Sequence, residues 1–279
     1  MNSKILRKIS SKKRSWSDKW HIQKIDSFSG ALAKAEPIVI LGNQKTGSTA
    51  IAALLAEATE QSVTLDLQRA IADVGWQLCV KYGVAKFEEV AYKYKEDFCR
   101  KIIKEPSLTY FYDEMVELTP NAKFVFIQRN PFQNIRSILN RLKIPGYLSE
   151  IQFDDWQELR KTPVWRLALD SSWLGRPKGS YIEGLAHRWD VAARTYLDSK
   201  DNFISIRYED FLINKQVSIE SLAHQLGLKA HKNIGEIVDV QRQPKGNRSI
   251  SVEEFFGESN QEIIRNICCD SARKLGYDL

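Results

Sequence analysis

Long apolar runs are missing from this 279-residue chain. No stretch approaches the roughly 20 apolar residues that a membrane-spanning helix needs. The N-terminus shows no apolar core that could serve as a secretory signal. Cysteine is scarce, and only Cys79, Cys99, Cys268 and Cys269 occur. None forms a Cys-x-x-Cys or zinc-type spacing, and adjacent cysteines such as Cys268 and Cys269 rarely pair with each other. Reduced thiols in a cytoplasmic protein are the expectation. No group of side chains has metal-ligand spacing, so no metal is expected, and no nucleic-acid partner either. Internal repeats and low-complexity blocks are also absent.

Charge is present but uneven. The chain carries a formal net charge of +6, and residues 1–26 hold eight Lys/Arg against Asp18 and Asp26, so that segment accounts for all of it. Residues 1–35 read as a basic N-terminal arm. It is either a solvated tail or a tether to an anionic membrane surface, where each basic residue adds about 1 kcal/mol. Trp16 and Trp20 favour the tether, because tryptophan prefers membrane interfaces. The expected location is thus cytoplasmic, with a membrane-peripheral variant.

Beyond the arm, residues 36–279 read as one domain. Apolar runs at 38–41, 62–65, 101–104, 124–127 and 203–206 alternate with helical patterns near 48–59, 68–81, 86–99, 109–118 and 130–142. Strands separated by helices predict βαβ units and a parallel sheet covered on both faces. The fold class is α/β, a three-layer sandwich with a central parallel sheet. Ligands of such sheets bind beyond the carboxyl ends of the strands. Residues 144–182 break the alternation with Pro145, Pro163 and Pro177 among Tyr147, Trp156, Trp165, Trp173 and Tyr181. This insertion is either a small satellite core or an aromatic cap on an acceptor site.

The stretch from Pro37 to Leu55, PIVILGNQKTGSTAIAALL, reads as strand, tight loop and helix. Gly42 and Gly47 keep the spacing of a phosphate-binding loop, but Ser48 stands where an NTPase has its lysine, and Lys45 lies inside the loop. Backbone N–H groups of residues 45–49 would still converge at a helix N-terminus, where an anion is favoured. Ser48 and Thr49 add hydroxyl donors. A second stretch, KFVFIQRNPFQNIRSILNRL, runs from Lys123 to Leu142. It places Arg129 at a strand end and Ser137 eight residues later on a helix begun by Pro131. Arginine offers a charged planar fork to a phosphate and serine one further donor. The alternative for Arg129 is an ion-paired structural role.

Lys-Thr-Gly-Ser-Thr at 45–49 resembles the 5′-phosphosulfate loop of sulfotransferases that use PAPS (3′-phosphoadenosine 5′-phosphosulfate). Arg129-Asn130-Pro131 with Ser137 resembles their 3′-phosphate site. RYEDF (Arg207–Phe211), RQPKGN (Arg242–Asn247) and the C-terminal LGY follow in that family's order, so the resemblance covers about residues 36–279. It implies a P-loop-like fold and transfer of a sulfuryl group from PAPS, leaving PAP, without a metal. It also implies donor contacts from Lys45, Thr46, Gly47, Ser48, Thr49, Arg129, Ser137, Lys245 and Gly246, with Arg242 a weaker candidate. Tyr208 would pack near the adenine or simply be structural. Lys45 would meet the leaving oxygen. Lys104 matches a lysine of the family, but Pro106 occupies the position of its catalytic histidine. Glu105, His187 and Asp66 are therefore the candidate bases, with a surface carboxylate and a surface histidine as the plain readings of Glu105 and His187. The resemblance further implies a hydroxyl acceptor on a carbohydrate, glycan or lipid-linked metabolite. The rivals are a small-molecule kinase with an atypical loop, and a module that binds PAP or polyanions without turnover.

Overall fold

The computed structural model describes residues 21–71, 73, 75–240 and 250–279. Five strands form one sheet: β1 (Ile38–Leu41), β2 (Val63–Leu65), β3 (Ile102–Lys104), β4 (Lys123–Gln128) and β5 (Phe203–Arg207). The order is β2-β3-β1-β4-β5, and every neighbouring pair is parallel. All carboxyl ends therefore point to one edge. Ile38 pairs with Ile102 on one side and Lys123 on the other, which puts β1 at the centre.

These segments form strands because they can bury both faces. Val39, Leu41, Ile103, Phe124 and Phe126 point into one core, whereas Ile38, Ile40, Ile102, Val125 and Ile127 point into another. That period of two is what a pleated strand imposes. Six longer helices accompany the sheet: α1 (residues 21–34), α2 (Ser48–Thr59), α3 (Pro131–Leu142), α4 (Tyr181–Asp198), α5 (Lys215–Gln225) and α6 (Val252–Lys274). Ile51 and Leu55 of α2 and Ile219 and Leu222 of α5 close one face. Ile135 of α3, Leu185 of α4 and Ile264 of α6 close the other. The result is the three-layer α/β sandwich that the alternating pattern predicts.

Helix boundaries differ from the pattern in three places. The helix expected at 68–81 starts only at Trp76. That expected at 86–99 breaks at Tyr94 into Phe87–Lys93 and Lys95–Phe98. That at 109–118 begins earlier as a 3-10 turn, Pro106–Phe111, because Pro106 fixes its first residue and the Glu105 carboxylate caps the Ser107 N–H.

Residues 144–182 form short turns rather than a separate unit. Leu159, Leu169, Trp173 and Tyr181 belong to the same core as Val39 and Phe126, and Trp156 and Trp165 lean on it. Trp173 stacks on Phe111 with centroids 6.2 Å apart. The insertion is clamped to α4 at Gly184, whose carbonyl accepts from Ser171 Oγ at 2.6 Å. A Cβ at Gly184 would lie 1.9 Å from the Leu169 carbonyl oxygen. Gly184→Ala should therefore lower stability by about 1–3 kcal/mol in urea denaturation, through forced separation of these backbones. An unchanged midpoint would show that the contact is loose.

Candidate active site

The loop after β1 is shaped by three residues in left-handed backbone. Gly42 has φ 141°, Lys45 66° and Gly47 94°. A Cβ at Gly42 would meet the Ile127 carbonyl oxygen at 2.8 Å, and one at Gly47 would enter the Tyr208 ring at 2.2 Å. Glycine is thus required at both positions by close approach as well as by conformation. Gly47 also starts α2, so the positive end of that helix opens at the loop.

A buried polar latch holds the loop from behind. Asn43 Nδ2 donates to Asn134 Oδ1 at 2.8 Å, and Asn134 Nδ2 donates to the Gln44 carbonyl at 2.8 Å. Tyr110 Oη donates to Asn43 Oδ1 at 2.8 Å. Arg188 Nε donates to Gln44 Oε1 at 2.8 Å. Thr46 faces inward as well, with its hydroxyl donating to the Asn43 carbonyl at 2.9 Å. Lys45, Gly47, Ser48 and Thr49 are left to face an open cleft of about 1100 Å³.

Arg129 enters the cleft from the end of β4. Its Nη1 donates to the Lys45 carbonyl, which helps hold the lysine in its unusual backbone state. Its guanidinium lies 4.6 Å from the Tyr208 ring centroid, and its own carbonyl accepts from Trp189 Nε1 at 2.9 Å. The turn into α3 is set by Asn130, whose side chain caps the Gln133 N–H at 3.2 Å, and by Pro131 in the first turn. Glu209 Oε1 accepts from the Asn130 N–H at 3.0 Å, and its Oε2 accepts from Tyr277 Oη at 2.9 Å. Tyr-Glu-Asp at 208–210 and Tyr277 near the C-terminus thus brace one corner. Ser137 and Arg141, one turn apart on α3, both line the cleft.

The ends of β2 and β3 supply the other wall. Lys104, its side chain buried, forms an ion pair with Asp66. Glu105 accepts from the Leu67 N–H at 3.1 Å through Oε2 and from the Ser107 N–H at 2.8 Å through Oε1. Its carboxyl is raised above the ordinary range, first by burial and then by the neighbouring Asp66. Of the three candidate bases, Asp66 and Glu105 line the cleft, whereas His187 does not. The His187 imidazole is lowered by partial burial and then by Arg176. Lys245, Gly246 and Arg242 lie outside the described residues, as does the basic arm up to residue 20. No group of three or more His, Cys, Asp or Glu that could hold a metal ion occurs among the described residues.

The family model of the sulfotransferase family matches residues 72–232. The chain belongs to the sulfotransferase family. The matched segment includes Lys104, Glu105, Arg129, Ser137 and Tyr208 but starts after the loop. A sulfotransferase from Alicyclobacillus acidocaldarius is similar in structure, with 14% identity and a TM-score of 0.50 over 88% of this chain and 98% of that one. Sulfotransferases from Mycobacterium avium (11% identity, TM-score 0.52, 92% of this chain and 82% of that one) and Mycobacterium tuberculosis (11%, 0.51, 86% and 78%) share the fold. No curated protein matches the sequence.

Several residues of this sulfotransferase's site carry no linear signature. Gln44, Arg141, Arg188 and Lys215 line the cleft beside the expected residues. Among the described residues, six basic side chains, Lys45, Lys104, Arg129, Arg141, Arg188 and Lys215, line the cleft with three acidic ones, Asp66, Glu105 and Asp239. Crowding has a visible effect. Burial first, and then the charges of Arg129, Arg141 and Lys104, lower the Lys45 ammonium from its ordinary value to about 8.

Two outcomes follow from this geometry. Asn134→Ala strips partners from Asn43 and from the Gln44 carbonyl, and should cost about 2–4 kcal/mol of stability in chemical denaturation. A loss well below 1 kcal/mol would mean that water replaces the latch. An anion bound at Lys45 favours its charged form, so binding near pH 8.5 should take up protons, and at pH 6.5 it should not. Affinity should fall as pH rises past about 8, approaching about tenfold per pH unit. Calorimetry with PAP in buffers of different ionisation enthalpy reads this directly, and equal uptake in Lys45→Met would assign the proton elsewhere.

Proposed function

We propose that this sulfotransferase takes its sulfuryl group from PAPS and passes it to an acceptor hydroxyl on a carbohydrate, glycan or lipid-linked metabolite. One observation carries the donor reading: the helix N-terminus with Lys45 and the Arg129–Ser137 pair line a single cleft. Two anion sites in one cleft suit a nucleotide with phosphates at two positions. The net positive lining and the depressed Lys45 ammonium fit the same ligand, because an anion relieves the crowding. Tyr208, stacked on Arg129 and closed over Gly47, is placed to border the purine.

In the transfer, the acceptor oxygen attacks sulfur from the side opposite the leaving phosphate oxygen. The new S–O bond forms as the old one breaks, and PAP departs with the electron pair. Lys45 holds charge on that leaving oxygen, an interaction that strengthens as the bond breaks. The acceptor proton needs a base within about 3 Å. Glu105 spends both oxygens on backbone N–H groups. Asp66 gives Oδ1 to Lys104, and its side chain is 28% exposed in the cleft. Asp66 is therefore the base this geometry favours, with Lys104 steering it.

The four cysteines are unbridged, and no helix among the described residues is long and apolar enough to cross a membrane. The working location is the cytoplasm, with residues 1–26 available to an anionic membrane surface.

Calorimetric titration with PAP, and separately with ATP plus magnesium, tests the donor site. PAP should bind and ATP should not. Arg129→Ala should weaken PAP by about 10²-fold or more, as charge-assisted bonds to a buried phosphate are lost. Magnesium-dependent binding of ATP with PAP ignored would hand the loop to a kinase.

A further inference from the structure

Arg188 stands on the buried face of α4, among Leu185, Ala186, Trp189 and Ala192. It is only 1% exposed. Its plane is gripped by Tyr110, 4.2 Å to the centroid, and by Trp173 at 5.7 Å. Nε is spent on Gln44 Oε1, and Nη1 on the Leu167 carbonyl at 3.1 Å. Nη2 has no protein acceptor among the described residues, yet it is not sealed off, and the guanidinium borders the cleft. No carboxylate forms an ion pair with it among those residues. Glu105 acts on it only through space, its two oxygens being taken by backbone.

A buried guanidinium with no ion-paired carboxylate is costly, and removing its charge is not an option for arginine. Proteins place such a group where a ligand supplies the missing anion. Here two rings and two hydrogen bonds fix the fork in advance, which is the preorganisation a recognition site needs. The position is also informative. Arg188 reaches the cleft beside the insertion, bonded to Leu167 between Arg166 and Ala168, while Ser137 and Tyr208 enter from α3 and from the end of β5.

We infer that Arg188 recognises an anionic group on the acceptor, so that the acceptor is a hydroxyl compound that also carries a carboxylate, sulfate or phosphate. The inference rests on the donor reading above, since it takes the Lys45–Arg129 end to be filled by PAPS. A negative acceptor would otherwise be repelled by the negative donor beside it. Arg188 offsets that repulsion and fixes which end of the acceptor enters.

The test uses the full chain saturated with PAP and a panel of uronic acids and hydroxybenzoates, each matched with its methyl ester. Binding is read by calorimetry. In the wild type, members of the panel should prefer acid over ester by about tenfold or more. Arg188→Met should abolish that preference, whereas Gln44→Ala, which breaks the same latch bond but keeps the guanidinium, should retain it. Arg188→Gln, which keeps more of the polar packing, serves if the Met variant fails to fold. A wild type that binds no acid in preference to its ester overturns the inference. So does an Arg188 variant that keeps the preference for acid, because the guanidinium would then not meet the acceptor's anionic group. Failure of the wild type to bind PAP at all would strike the donor reading, and the acid–ester comparison is then repeated without PAP so that the two failures are read apart.

Discussion

Like charges repel, and this sulfotransferase holds Lys104, Arg129 and Arg141 near enough to Lys45 that all three depress it. The fold can be understood as the means of keeping them there. Each strand end delivers one part to the same edge: Asp66 after β2, Lys104 and Glu105 at β3, the loop after β1, Arg129 after β4 and Tyr208 after β5. Asp66 compensates Lys104, and Tyr208 lends Arg129 its ring face. Arg129 in turn donates to the Lys45 carbonyl, so one cation fixes the backbone that carries another.

The sheet was legible because burial on both faces leaves short apolar runs with a clear period. The loop and the Arg129–Ser137 segment were legible because each is continuous in sequence, with glycine and proline marking the turns. The latch was not. Asn43, Gln44, Asn134 and Arg188 meet across separations of 90 to 144 residues, and nothing local marks an asparagine that will be buried. Helix phase explains a second miss. His187 drew attention as a histidine, but its neighbour Arg188, turned about 100° around the helix, is the one at the cleft. A trace of that was readable: Arg188 falls on the same stripe as Leu185, Trp189 and Ala192, where a charge is unexpected.

The aromatic insertion packs on one side and lines the cleft on the other. Trp173 is buried against Phe111, so the segment is part of the main core rather than a satellite. Thr162, Val164, Trp165 and Ala168 nevertheless form cleft wall. The two roles are compatible, because the short turns expose a different face from the one they bury. Glu105 presents the reverse case. A residue read from sequence as a base is spent on capping the turn begun by Pro106, the very residue that displaces the family's histidine.

Tyr277 ties together three distant parts of the chain. It bonds Glu209, lies under Arg207 at 4.2 Å, and through Glu209 steadies the Asn130 N–H at the start of α3. A ribosome makes Arg129 nearly 150 residues before it makes Tyr277. The first four strands can pair before that, but this corner stays unbraced until Tyr277 itself has been made. A product truncated before Tyr277 would carry the loop and Arg129 without the brace at the start of α3.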